Sequence, residues 1–391
     1  MTGAERRAAL SLAGIFSLRM LGLFMIYPVF ALYARTLPDA TPFTIGLALG
    51  VYGLTQALLQ IPFGFLSDRW GRKPIIAAGL VLFAAGSVLA ALAHSMDGII
   101  AGRLLQGAGA VGSAILALAA DLTREQHRTK AMAVIGMTIG LAFGLAVVAG
   151  PVLYRWIGVP GIFWLTAGLA LAGIGVLFGL VPQPAKSPVQ EDAEAVPALF
   201  RRVLAHRELL RLDFGILAQH AILTASFLSV PLVLRTAGVQ AHDQWFIYLP
   251  VLVVSVLAMV PFIIVAERRA RMKPVFLGGI AALAVAQLLL LLAPGRLPLV
   301  LLALLLFFTA FNLLEASLPS LISRLAPPHA KGTALGVYSS SQFFGIFLGG
   351  ALGGWLQGVW GVNGVFGFCA LLAALWWLVA LPMRPPAAAR Q

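Results

Sequence analysis

Residues 61–79 read IPFGFLSDRWGRKPIIAAG, and residues 260–278 read VPFIIVAERRARMKPVFLG. Each opens with Pro-Phe near the end of an apolar run, passes through an acid–Arg pair, and starts the next apolar run with Lys-Pro. Pro62 and Pro261 are 199 residues apart, and the second copy carries one extra residue before its Lys-Pro. A weaker match pairs residues 127–144 with 329–345, where His, Lys, Ala and Gly recur at comparable spacing. Charged turns at equivalent places in an apolar chain predict an internal repeat, with two halves built alike.

Outward from these turns the chain is apolar almost everywhere. Of its 391 residues 60% are hydrophobic and 10% charged, against roughly a quarter charged in soluble proteins. Apolar runs of about 20 residues recur, each long enough to cross ~30 Å of hydrocarbon at ~1.5 Å per residue. Hydropathy and turn signals predict twelve spans, at about 8–34, 42–66, 74–93, 97–120, 130–154, 160–181, 208–235, 243–266, 273–293, 297–323, 330–358 and 362–382. The first is no cleaved signal peptide, since it carries Arg19 and leads straight into further spans. The single cysteine, Cys369, lies inside an apolar run and excludes a disulfide scaffold. No stretch is both long and polar enough for a soluble catalytic domain.

The net charge of +13 suggests nucleic acid until its distribution is read. Of 27 Lys and Arg residues, Arg19 and Arg103 fall inside spans. With both termini cytoplasmic, only Arg35, Arg155, Arg235 and Arg296 fall on the outer side and the other 21 on the inner side. Inner-face enrichment of that size follows the positive-inside rule. Basic residues confined to short loops offer no groove helix or aromatic platform, so no nucleic-acid partner is expected. The polar segment 182–207 reads as a cytoplasmic linker with a short interfacial helix near Val196–Arg207. It divides the expected fold, an all-α integral membrane protein, into six-helix bundles at 1–181 and 208–391.

Gly64, Asp68, Arg69, Gly71, Arg72 and Lys73 stand in GFLSDRWGRKP, which resembles the loop 2–3 signature of the major facilitator superfamily. IAGRLLQGAG at 100–109 is similar to its span 4 motif, and Leu21-Gly22 followed by Pro28 to its span 1 motif in drug–proton antiporters. FSLRMLGLFM, DLTREQHRTKAM, FNLLEASLPSLIS and GTALGVYSSSQFFG resemble the YajR-type branch of twelve-span antiporters. The resemblance implies a bacterial inner-membrane transporter, working as a monomer on a small organic solute and protons. It also implies that spans 1, 4, 7 and 10 line a central cavity, and that the loop motif latches the halves in the outward-open state. Some members carry a soluble C-terminal domain, for which the nine residues after Pro382 are too few. The antiporter signature of span 5 is present at Gly150-Pro151, but Ala146 and Tyr154 replace its flanking glycines. Import therefore stands beside export.

Glycines 64 and 71 suit a tight turn and close packing. Asp68 is placed to meet the positive N-terminal end of span 11, and Arg72 to pair with Asp121. A loop that only fixes orientation is the alternative. Charges at membrane depth are costly and are usually paired or functional. Arg19, Arg103, Glu315 and the titratable His220 occupy spans 1, 4, 7 and 10, with Asp213 about a turn inside span 7. At ~1.5 Å per residue, Glu315, Arg19 and His220 lie ~12, ~16 and ~18 Å from the inner face and Arg103 ~27 Å. Asp213, His220 and Thr224 are spaced for one helical face, as are Asn312, Glu315 and Pro319.

Glu315 is the expected proton carrier, with a structural carboxyl as the alternative. His220 and Asp213 are candidate partners, either of which reads equally as a packing or interfacial residue. Arg19, Arg103, Gln106, Tyr27, Thr224 and Asn312 are the candidate cavity residues. Arg103 serves alternatively as a tie from span 4 to span 1. No His-Glu-x-x-His, Gly-x-Ser-x-Gly, Walker loop or Cys/His cluster appears, so no enzyme, metal or cofactor is expected. A receptor on the same scaffold is the non-transport alternative.

Overall fold

The computed structural model describes residues 1–183, 196–268, 271–293, 295–327 and 330–383, and among them the regular structure is helical throughout. In chain order the first unit's helices begin with α1 (Gly3–Phe24), α2 (Tyr27–Ala34), α3 (Pro42–Trp70) and α4 (Arg72–Leu92). They continue with α5 (Met96–Ala108), α6 (Gly112–Asp121) and α7 (Glu125–Gly179). Then come α8 (Val196–Leu204), α9 (Arg207–Thr236), α10 (Trp245–Arg268), α11 (Met272–Leu291), α12 (Leu297–Leu325) and α13 (Lys331–Ala380).

Among the described residues ten stretches are long and apolar enough to cross a membrane, with α1–α2 and α5–α6 each counting as one. The α1–α2 interruption precedes Pro28, which has no N–H to continue the helical ladder. At 55 and 50 residues, α7 and α13 are each long enough for two crossings. Each contains one non-helical residue, Gly158 at φ 65° and Gly361 at φ 68°. The turns expected at 154–160 and 358–362 fall on these breaks. Leu58, Trp156, Leu257 and Leu371 are exposed, the surface a hydrocarbon solvent rather than water would cover. The expected interfacial helix is α8, shorter at its end than predicted, and residues 184–195 of the linker lie outside the described residues.

The chain divides into two compact units, Met1–Ala40 with Val51–Ala193, and Thr41–Gly50 with Glu194–Gln391. In the first, α7 packs on α1 and α4, and α4 on α5. In the second, α9 packs on α13 and α12, α11 on both, and α10 on α12. The start of α3 belongs to the second unit, where it meets α13 backbone to backbone. A Cβ at Gly46 would run into the Gly350 carbonyl, one at Gly350 into Gly46, and one at Gly50 would stand 2.8 Å from the Phe347 oxygen.

Candidate functional site

In the second unit, α9, α12 and α13 bring titratable groups together deep in the bundle. Glu315 on α12 accepts from Gln219 Nε2 on α9 at 3.0 Å, and the same amide donates to the Phe311 carbonyl at 3.2 Å. The nearest oxygen of Glu315 is 3.9 Å from His220 Nε2. Gln342 Nε2 of α13 lies 2.8 Å from that ring nitrogen, and His220 Nδ1 faces the Ile216 carbonyl at 3.3 Å. With the amide so placed, Gln342 donates to Nε2 and the ring proton sits on Nδ1. His220 is 3% exposed, while the Glu315 side chain keeps 31% exposure.

Asp213, on the same helix as His220, is buried too. It is 5% exposed, and neither carboxylate oxygen has a hydrogen-bond partner among the described residues. The Tyr338 hydroxyl and the Thr224 hydroxyl are likewise buried without a partner there. Asn312 turns away from this cluster and donates to Ser255 of α10 at 3.1 Å. Three residues along a helix is about 60° of rotation, enough to send Asn312 and Glu315 to different neighbours.

The first unit buries cations instead. Arg19 of α1 is 1% exposed and Arg103 of α5 is fully buried. Arg19 Nη2 donates to the Tyr52 hydroxyl and to Gln56 Oε1, both 2.5 Å away on α3, and Gln56 passes the chain on to Gln60 at 2.6 Å. Arg103 donates to Gln106 Oε1 at 2.7 Å, and Gln106 to Ser87 at 2.7 Å. The Arg103 guanidinium carbon is 5.0 Å from the Tyr52 ring centroid, a cation–π distance. These contacts reach span 2 through Tyr52 and span 3 through Ser87. Tyr27 is buried at the start of α2.

At the charged turn, Gly71 has φ 95° and ψ 146°, a conformation open in practice only to glycine. Gly64 leaves room for Ser113 of α6, whose Oγ would be 3.3 Å from an added Cβ. Arg72 pairs with Asp68 one turn back, with Asp121 at 2.9 Å and with Ser67 at 2.8 Å. Arg69 is exposed, and Lys73 is buried, donating to the Val181 carbonyl at 2.6 Å. Gly150, just before Pro151 in α7, lets that helix touch the Met25 carbonyl at the α1–α2 break.

Several working residues carried no signal in the sequence reading. Gln219 and Gln342 bridge three helices, and Tyr52, Gln56 and Gln60 hold Arg19. An amide inside an apolar run is the available clue. Glu5 is another: it closes a capping box with Thr2 and accepts from Arg124 Nε at 2.8 Å. That bond pushes the Arg124 guanidinium above its ordinary pKa and ties the amino terminus to the α6–α7 turn.

The family model of the Major Facilitator Superfamily matches residues 12–343 and 243–391. The inner membrane transport protein YajR of Escherichia coli (strain K12) is 48% identical over 386 residues, covering 99% of this chain and 85% of that protein. The multidrug resistance protein MdtH of Klebsiella pneumoniae (strain 342) is 26% identical over 379 residues, covering 92% and 90%. A bacterial homologue of the human lysosomal transporter Spinster, inward-facing and occupied, superposes with a TM-score of 0.78 at 14% identity, covering 98% of both chains. The nucleoside transporter NupG superposes with a TM-score of 0.74 at 14% identity, covering 96% of this chain and 99% of that one. At these identities the two structures speak for the fold alone.

Proposed function

This chain belongs to the major facilitator superfamily, and from that premise we propose a proton-coupled exporter of a small organic solute, working by alternating access. Transport of a small solute, not enzymatic chemistry, is the family's activity, and a multi-pass position in a bacterial inner membrane comes with it. In this reading the chain crosses twelve times with both termini cytoplasmic, acts as a monomer, and rocks two halves, 1–181 and 208–391, about the linker. Arg72, Asp121, Asp68 and the turn glycines 64 and 71 serve as the latch on the inner face. Glu315 carries the proton, with His220 and Asp213 beside it, and Arg19, Arg103, Gln106, Tyr27, Thr224 and Asn312 line the solute's path.

One observation supports coupling above the rest. Glu315 lies 3.9 Å from His220 Nε2, each held by its own amide, Gln219 on the carboxylate and Gln342 on the ring, inside the bundle where an ionisable side chain is expensive to keep without a use. A proton crossing 100 mV supplies about 2.3 kcal/mol, roughly a 50-fold solute gradient at one proton per solute. The test uses everted vesicles energised by respiration, with a fluorescent amine reporting the pH gradient. Candidate solutes should dissipate the gradient in the wild type, while Glu315→Gln, folded by size-exclusion, should lose both that response and the accumulation. A wild-type response retained in Glu315→Gln overturns the assignment. Solute leaving the vesicles together with protons would overturn export in favour of the importer that Ala146 and Tyr154 leave open.

A further inference from the structure

The first unit buries a positive charge that its own residues do not neutralise. Arginine carries five N–H donors. On Arg19 the two of Nη2 go to Tyr52 and Gln56, both neutral, and the three on Nε and Nη1 are buried with no acceptor among the described residues. Ring faces supply the remaining surroundings, with the guanidinium carbon 5.4 Å from the Phe83 centroid and 5.8 Å from that of Tyr52. Arg103 adds a second cation 5.0 Å from the same Tyr52 ring.

Among the described residues of the unit, no carboxylate stands in the middle of a helix to answer Arg19. Every Asp and Glu in residues 1–183 stands in a loop or within a turn or so of a helix end: Glu5, Asp39, Asp68, Asp97, Asp121 and Glu125. Glu5 is engaged by Arg124, and Asp68 and Asp121 by Arg72. A buried charge-bearing donor that lacks an acceptor is among the costliest groups a fold can hold. A fold that keeps one at membrane depth keeps it for an ion or substrate path.

We propose that Arg19 binds the anionic group of the transported solute, so that the substrate class is organic anions bearing a carboxylate or a similar oxyanion. The unpaired Nε and Nη1 protons are the contact atoms. Tyr52 and Gln56 hold the guanidinium in place, and the second cation at Arg103 raises the local potential that favours negative charge. At 1% exposure the site is shut in this state, and the anion enters as the transport cycle parts the surrounding helices. The inference deepens the transport reading and rests on it for that access, but it does not depend on proton coupling or on the direction of flux.

The experiment reads binding in detergent with no gradient, so it fails or succeeds separately from the Glu315 test. Purified protein is screened by thermal unfolding against matched sets on common scaffolds: carboxylates and sulfonates, their neutral amides, and the corresponding amines. Anionic members should stabilise the wild type, with neutral and cationic counterparts silent. Arg19→Gln should weaken the response by about 100-fold in concentration, and Arg19→Lys by less. Arg19→Met, which removes the unpaired donors, should leave the ligand-free midpoint unchanged or raised while abolishing the anion response. The proposal is overturned if no anion stabilises the wild type, if cations or neutral members do so equally, or if anions act undiminished on Arg19→Gln. It is also overturned if Arg19→Met lowers the ligand-free midpoint while anions still bind, since that is how a purely structural arginine behaves.

Discussion

His220 shows its two ring nitrogens to different elements, the Ile216 carbonyl on its own helix and the Gln342 amide of α13. A proton added at Nε2 would meet an N–H, so the Gln342 amide must rotate and offer its oxygen before the charged ring is satisfied. Gln342 thereby couples the ring's protonation to α13. Replacing it by Leu removes one interhelical bond, expected to cost about 0.6 to 1.7 kcal/mol, a modest drop in thermal midpoint. Gradient dissipation, measured in the same vesicles, should fall far more than that stability loss accounts for. An unchanged transport pH profile would reduce Gln342 to packing. The ionisable members of this cluster were legible in the sequence because charges stand out in apolar runs. Gln219 and Gln342 were not, since an amide is cheaper to bury and its partner comes from a helix about a hundred residues away.

Elements end where backbone chemistry ends them. Gly71 separates α3 from α4 with a dihedral pair that other residues reach only under strain, so Gly71→Ala should cost about 1 to 3 kcal/mol. The drop should appear as a lowered unfolding midpoint, and a midpoint equal to the wild type would show that the turn relaxes without it. Turn signals marked Gly71, the 154–160 turn and the 358–362 turn beforehand. The break between α1 and α2 leaves no mark in hydropathy, which averages over a window far longer than two residues, so residues 8–34 read as one continuous span. The missing N–H of Pro28, rather than any change in polarity, is what ends α1.

For the whole molecule, charge decides how the chain is threaded. In the proposed topology twenty-one basic residues fall on one face and four on the other, an orientation that chemical labelling can read. Cys369 is buried and unpaired, so its replacement by Ala gives a background for single cysteines at the exposed positions Pro38 and Gln126. A membrane-impermeant maleimide on intact cells should label position 38 and spare 126, with the reverse after eversion. Labelling of 126 on intact cells would invert the topology. Helical class followed from the recurring apolar runs. The membership of residues 41–50 in the second unit did not, because it follows from the close approach of glycines 46 and 350, which are just over three hundred positions apart.

That glycine seam has a mechanical corollary. Surfaces that interlock through side chains must repack rotamers each time they separate and rejoin. The start of α3 and the facing stretch of α13 present bare peptide instead, with Gly46 and Gly50 lying along Gly350 and Gly354. Such a joint slides or lifts as a smooth face, with no knobs to disengage and little side-chain order to surrender. The rest of α3, from Val51 onward, belongs to the other unit, so the bare-peptide face is confined to the first part of the helix.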